Sequence, residues 1–303
     1  MHDGGTDAER RARRTRQPVG WYVAWVAATA FAFFGGWYAL EVGLGYDSHA
    51  YWAAVQHMDR LYDAPALSRD AYLYSPLFAQ LVWPLGRLPW PIFYVLWSAV
   101  VAAVFVWLLR PLGRRWFLPA FIATIPEIVT GNVYALMAAA LVLGASSGPP
   151  WVLLGLTKVT GGGVGLTWLA LTRQWRAALV GLLTAAGAVS LSFAIAPDQW
   201  RAWIQFLMHR STPTANSISS PVLTVVLLGA GVTAVVVGAL TRRAWLLAVA
   251  AVLVSPTIGL NTLTLLAAAP RLTRWSGVSS AGRSQTALPS PAEASSRRRG
   301  PTA

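Results

Sequence analysis

Four apolar stretches limit this chain to very few folds. Trp21–Leu40, Ile92–Leu109, Ala177–Ala196 and Val222–Leu240 each approach or exceed the ~18–20 residues that cross a bilayer as helix. Further apolar runs continue to Pro270. Charge is correspondingly scarce: 12% of residues are charged, against about 25% in a soluble domain. Lipid admits only helices or closed β-barrels, because every backbone polar group must be satisfied inside the protein. A barrel would show ~10-residue segments of alternating polarity, and these runs do not alternate. The reading is an all-α, polytopic transmembrane helical bundle of roughly 8–11 membrane helices, some of them short broken pairs.

The first apolar run is long and aromatic and carries no small-residue cleavage site, so it reads as an uncleaved span. Residues 1–19 are polar and basic, and 273–303 are rich in Ser, Pro and Arg. Both are expected to be disordered cytoplasmic tails around a membrane domain at 20–272. The net charge of +13 does not imply nucleic acid. Its arginines cluster at 10–16, 110–115, 173–176, 242–243 and 271–299, flanking apolar spans as cytoplasmic anchors do. Both termini then face the cytoplasm of a multi-pass plasma-membrane protein, with membrane lipids as its surroundings. With no cysteine, there is neither a disulfide framework nor thiolate chemistry.

This topology delivers the end of the first span, Gly45-Tyr46-Asp47-Ser48-His49, to the extracytoplasmic face. Residues 116–130 and 132–146 read as a helical pair turning at Gly131-Asn132. Residues 151–158 and 164–172 read as a second pair turning at Gly161-Gly162-Gly163, and Leu246–Ser255 with Ile258–Ala269 as a third, turning at Ser255-Pro256. Tyr72–Pro91 fits no full crossing and reads as re-entrant or interfacial. Two segments have the periodicity of interfacial helices. In Ala50–Asp63, Tyr51, Val55, Met58 and Tyr62 share a face; in Asp198–Arg210, Trp200, Trp203, Ile204 and Leu207 do. Either helix would serve equally as a cap on the bundle.

Asp47 is the principal candidate for chemistry. The chain has 11 acidic residues, and a carboxylate at the edge of a membrane body is a functional candidate by default. A helix cap or a solvated loop acid is the bland alternative. Tyr46, His49, Tyr51 and Trp52 beside it are side chains of the kind that hold hydroxyl-rich ligands. Lys158, the sole lysine, lies inside an apolar run and suits a phosphate as a point charge, or else snorkels to the interface. Glu127 either lines the same cavity or caps the helix pair. His57, Asp59, Asp63 and Asp70 are spread around a helix rather than gathered, so no metal site is expected. There is no nucleophile elbow, phosphate loop or H-E-x-x-H.

Five segments together resemble glycosyltransferase family 87, which has the GT-C membrane fold. They are Gly45-Tyr46-Asp47-Ser48, Tyr72-Leu73-Tyr74-Ser75-Pro76-Leu77-Phe78 running on to Leu88-Pro89-Trp90, Gly131-Asn132-Val133, Leu156-Thr157-Lys158 with the basic loop at 173–176, and Ser255-Pro256. Ser75 stands where the family has the first proline of a pair, and Asn261 where a histidine is common. The resemblance implies transfer of a sugar, typically mannose, from a polyprenyl-phosphate donor to an extracytoplasmic glycolipid or glycan acceptor. It implies no cofactor beyond that donor. Asp47 takes the role of general base, Lys158 and more weakly Arg210 hold the donor phosphate, and Tyr46, His49, Asn132 and Asn261 bind substrate. A non-catalytic protein of the same fold that binds lipid-linked glycans is the alternative. A small-solute transporter fits less well, because the sequence has no internal repeat.

Overall fold

The computed structural model describes residues 19–64, 68–157, 159–209, 220–255 and 259–274. The two tails, Lys158, Arg210 and Pro256 lie outside the described residues. The described residues are helical, with no strand among them. In order they form α1 (Val19–Val42), α2 (Tyr46–Gln56), α3 (Pro76–Gly86), α4 (Trp90–Leu109), α5 (Gly113–Ile122), α6 (Ile125–Thr130) and α7 (Tyr134–Gly144). Then come α8 (Pro150–Thr157), α9 (Val159–Leu171), α10 (Trp175–Ile195), α11 (Pro197–His209), α12 (Pro221–Thr241), α13 (Leu246–Leu253) and a 3₁₀ helix, Leu260–Ala268.

Four helical segments are long and apolar enough to cross a membrane: Val19–Gln56, Trp90–Ile122, Trp175–Ile195 and Val222–Thr241. They match the four spans expected from sequence, Ala196 alone falling one residue outside. Their outer surfaces fit lipid. Leu179, Val180, Leu182, Leu183 and Ile195 of α10 are all at least half exposed, as are Val222, Val225 and Val226 of α12. An apolar face of that extent has no counterpart on a water-facing surface. The core lies between α2, α4, α7, α8, α9, α13 and the 3₁₀ helix, filled by Tyr51, Phe93, Phe105, Met137, Leu141, Leu154, Trp168 and Leu247.

Helix breaks fall at residues suited to them. Gly43 and Gly45 have φ of 99° and 69° and separate α1 from α2. Gly131 at φ 70° ends α6. Pro76 and Pro91 occupy first-turn positions of α3 and α4, where a missing N–H costs nothing. The segment that fitted no full crossing, Tyr72–Pro91, contains α3, whose 11 residues reach about 16 Å at 1.5 Å each. That is half the ~30 Å of hydrocarbon.

The second broken pair is present, but its turn is not the glycine triplet. Gly161, Gly162 and Gly163 lie within α9. Helices α8 and α9 fold back on each other: Trp151 meets Gly165, and Gly155 meets Gly162, where an added Cβ would come within 3.0 Å of the facing Cα. The glycines are therefore surfaces for close helix approach, as small residues are in membranes. The amphipathic segments also take distinct forms. Tyr51 and Val55 of α2 are buried in the core, so α2 is a packed helix. Helix α11 buries Trp200, whose indole donates to Ser192 Oγ at 2.9 Å, while Ile204, Leu207 and Met208 stay exposed. That exposed stripe suits the membrane interface.

Gly165→Leu would drive a side chain into the Trp151 ring. It is expected to lower stability by about 1–3 kcal/mol, read as a fall in Tm of the detergent-solubilised protein. Gly163→Leu, where a Cβ meets open space, is expected to leave Tm unchanged or raised.

Candidate functional site

Asp47 sits in the first turn of α2, whose N-cap is Gly45 with no side-chain capping bond. A carboxylate there is favoured by the helix dipole. The break before it is pinned to α6: Gly45 N donates to the Val129 carbonyl at 2.9 Å. Tyr94 donates to the same carbonyl at 3.1 Å. The next turn of chain closes against α2. Any Cβ at Gly131 would collide with the Ser48 side chain, and the Trp97 indole donates to the Gly131 carbonyl at 2.6 Å. Ser48 is fully buried and donates to Gly45 O at 3.2 Å. Two left-handed glycines thus bring the Asp47 turn and the Asn132 turn face to face.

Three more segments join them. The Tyr74 hydroxyl lies 3.3 Å from that of Tyr51. Burial raises the Tyr74 phenol well above its usual value of 10, and the carboxylates of Asp47 and, more weakly, Glu127 raise it further. Both acids therefore lie within electrostatic reach of this hydroxyl, and it stays protonated. Ser75 N donates to Leu156 O at 3.3 Å, joining the Tyr74 loop to the last turn of α8. The Tyr134 and Thr262 hydroxyls lie 3.2 Å apart, bringing the start of the 3₁₀ helix, with Asn261 beside Thr262, to the start of α7. So Asp47, Tyr46, Asn132 and Asn261 occur on segments that meet at one end of the bundle. Asn132 is 6% exposed and its side-chain oxygen accepts no hydrogen bond; the fully buried Ser75 hydroxyl is likewise unpartnered. Buried polar atoms of that kind call for an explanation, and a polar ligand is one.

His49 is placed differently. Two residues on from Asp47, it projects from the other side of α2. Its Nδ1 pairs with Asp70 Oδ1 at 2.5 Å, and its ring packs on Trp90 and Trp52. It lines a cleft of about 460 Å³ with Trp52, Gln56, His57 and Asp63. Tyr46 lies between the two, within electrostatic reach of both Asp47 and Asp70. Lys158 and Arg210, expected to hold a phosphate, fall outside the described residues. Among the described residues no cluster of His, Asp or Glu could hold a metal.

Sequence reasoning missed the Tyr51–Tyr74 pair, the seat of Ser48 on Gly131 and the Tyr134–Thr262 link. It left Glu127 open; the residue proves 1% exposed. The Tyr72-x-Tyr74 spacing was the available signal for the first. The others are long-range contacts with no local mark.

The family model for glycosyltransferase family 87 matches residues 72–282. The matched segment begins beyond Asp47 and takes in Tyr74, Asn132 and Asn261. No curated protein and no solved structure matches the chain.

Gly131→Ala is expected to cost about 1–2 kcal/mol for the left-handed backbone alone, and more from the collision with Ser48, read as a lower Tm. Adding Ser48→Gly should recover the collision and leave the backbone cost.

Proposed function

The chain belongs to glycosyltransferase family 87, and on that premise we propose that it transfers a sugar, mannose, from a polyprenyl-phosphate donor. The acceptor is an extracytoplasmic glycolipid or glycan. The observation that carries this reading is the convergence on Asp47 of segments bearing Tyr74, Asn132 and Asn261, all within the family match.

In this proposal the Asp47 carboxylate takes the proton of the acceptor hydroxyl as that oxygen attacks the anomeric carbon. The bond from carbon to the phosphate oxygen breaks on the opposite side, giving inversion, and its electron pair leaves with the lipid phosphate. That leaving group departs already ionised, so it needs a cation more than an acid. Lys158 is assigned that role and Arg210 a lesser one. The Tyr74 phenol, held protonated, is a hydrogen-bond donor toward the carboxylate region. Asn132 offers a buried amide to a sugar hydroxyl, and Asn261, in the position where the family often has histidine, offers another without shuttling a proton. Tyr46 and His49 border the acceptor side. The enzyme lies in the plasma membrane with both termini in the cytoplasm, and no metal takes part.

Asp47→Asn keeps the size of the side chain and removes the base. Transfer from polyprenyl-phosphate mannose by membranes carrying it is expected to fall by about 10²–10⁴-fold. An unchanged rate rules out Asp47 as the base. Failure of the wild type to use any polyprenyl-phosphate sugar that it binds favours a non-catalytic role.

The sidedness has its own test. The Asp59 side chain is 77% exposed, and a cysteine there should label from outside intact cells with an impermeant reagent. A cysteine at Arg114 should be protected. The reverse pattern inverts the topology.

A further inference from the structure

A second site lies at the far end of the bundle from Asp47. Helix α1 packs on α5, and the Trp21 indole donates to Arg115 O, but an opening remains beside the 3₁₀ helix. Between the three helices runs a groove of about 530 Å³, within the range of small-ligand pockets. Alanines carve it: Ala24, Ala27 and Ala28 on α1, Ala120 on α5 with Ala123 just past its end, and Ala267 on the 3₁₀ helix. Its two threonines offer a ligand little, because Thr124 Oγ1 donates to Phe121 O and Thr264 Oγ1 to Asn261 O. The groove extends from Trp116 on α5 to Thr124 just beyond it, about 12 Å at helical rise. That nearly matches the ~15 Å depth of one hydrocarbon leaflet.

The open end of the groove carries arginines that have no acidic partner among the described residues. Arg110 follows Leu109, and Arg271 follows Pro270, both groove-lining residues. Arg271 Nε donates to Trp107 O at 2.6 Å, and its guanidinium lies 4.0 Å over the Trp107 ring. Arg274 donates to Pro111 O at 2.8 Å. Backbone carbonyls and a ring fix these groups in place but neutralise none. Among the described residues, the ion pairs are His49–Asp70, Arg60–Asp59 and Arg201–Asp198, and none involves the three arginines. Desolvation, then Arg110 and Arg274, lower the Arg271 pKa from its usual value, so the three charges repel one another.

We propose that this groove and its arginines form a binding site for one anionic phospholipid, with an acyl chain between α1, α5 and the 3₁₀ helix and the phosphate on Arg110, Arg271 and Arg274. An apolar slot one leaflet deep, ending in three clustered cations, is complementary to that molecule. The site is separate from sugar transfer. Helix α4 has Trp90 against Gly45 at one end and Arg110 just past the other, and its 20 residues span about 30 Å. The Asp47 turn and the three arginines are thus at opposite ends of the bundle, and the inference stands whether or not the donor assignment does.

The test uses the full-length protein in mild detergent, titrated with phosphatidylglycerol, with phosphatidylcholine of the same chains, and with glycerol phosphate. Tm and lipid retention in native mass spectra are read. Phosphatidylglycerol is expected to raise Tm and be retained at about tenfold lower concentration than phosphatidylcholine, as several arginines near one phosphate imply. Glycerol phosphate should give no shift. Arg110→Gln and Arg274→Gln are each expected to weaken phosphatidylglycerol binding about fivefold. Ala120→Trp should abolish retention with all three arginines in place. Equal binding of the two phospholipids overturns the proposal, as does binding indifferent to the loss of both arginines. A shift with glycerol phosphate equal to that with phosphatidylglycerol overturns the lipid assignment in favour of a free-phosphate site. The wild-type comparison needs no variant to fold.

Discussion

Backbone amides and carbonyls inside a bilayer have no water to bond, so a helix can break there only where protein takes over those groups. The end of this bundle that holds Asp47 is built on that constraint. The α1–α2 break places Gly45 N on the Val129 carbonyl. The α6–α7 break places the Gly131 carbonyl under the Trp97 indole. The first break bonds to α6 and the second to α4, and both rely on glycines with left-handed backbone. Moving either would expose polar backbone and separate Asp47 from the Asn132 turn.

The aromatic residues around this junction fix it from outside. Trp90 and Tyr94 close against Gly45, Phe93 stacks on Trp97, and Tyr51 lies edge-on to Tyr74, Phe78 and Trp97. Such rings fill volume while keeping a polar tip for a defined partner. The hydroxyls of Tyr51 and Tyr74 meet each other there, and the Asp47 carboxylate acts on Tyr74. The opposite end is held differently, by arginines bonded to helix-terminal carbonyls. One end concentrates acids and hydroxyls under tight packing; the other gathers cations beside an open apolar groove. A membrane enzyme of this family has reason to keep them apart, since surface anchoring wants charge at lipid headgroups and sugar transfer wants a shielded polar pocket.

Much of the fold was legible because the bilayer imposes length and polarity directly on sequence. The four spans read from apolar runs recur as helices α1, α4, α10 and α12, within a few residues at each end. The helix pair broken at Gly131-Asn132 was legible too, since a glycine followed by a polar residue interrupts an apolar pattern. The glycine triplet misled for a physical reason. Glycine favours turns in water-exposed chain, but between membrane helices it permits close approach, and only the neighbouring helix α8 decides which applies. The amphipathic pattern of α2 was likewise ambiguous. Its apolar face could meet lipid or protein, and Tyr51 and Val55 meet the core.

By itself the sequence determined a helical membrane protein, the positions of its spans, the clustering of its arginines and the isolation of Asp47, because each is a property of local composition. Only the tertiary structure decided which polar residues share a neighbourhood. It set Ser48 on Gly131, Tyr74 by Tyr51 and Thr262 by Tyr134, and it turned His49 toward Asp70 instead of toward the Asp47 face. Those pairings join residues 20 to 130 positions apart or lie on opposite sides of one helix. No local periodicity carries them; they follow from how the breaks must pack when water is excluded.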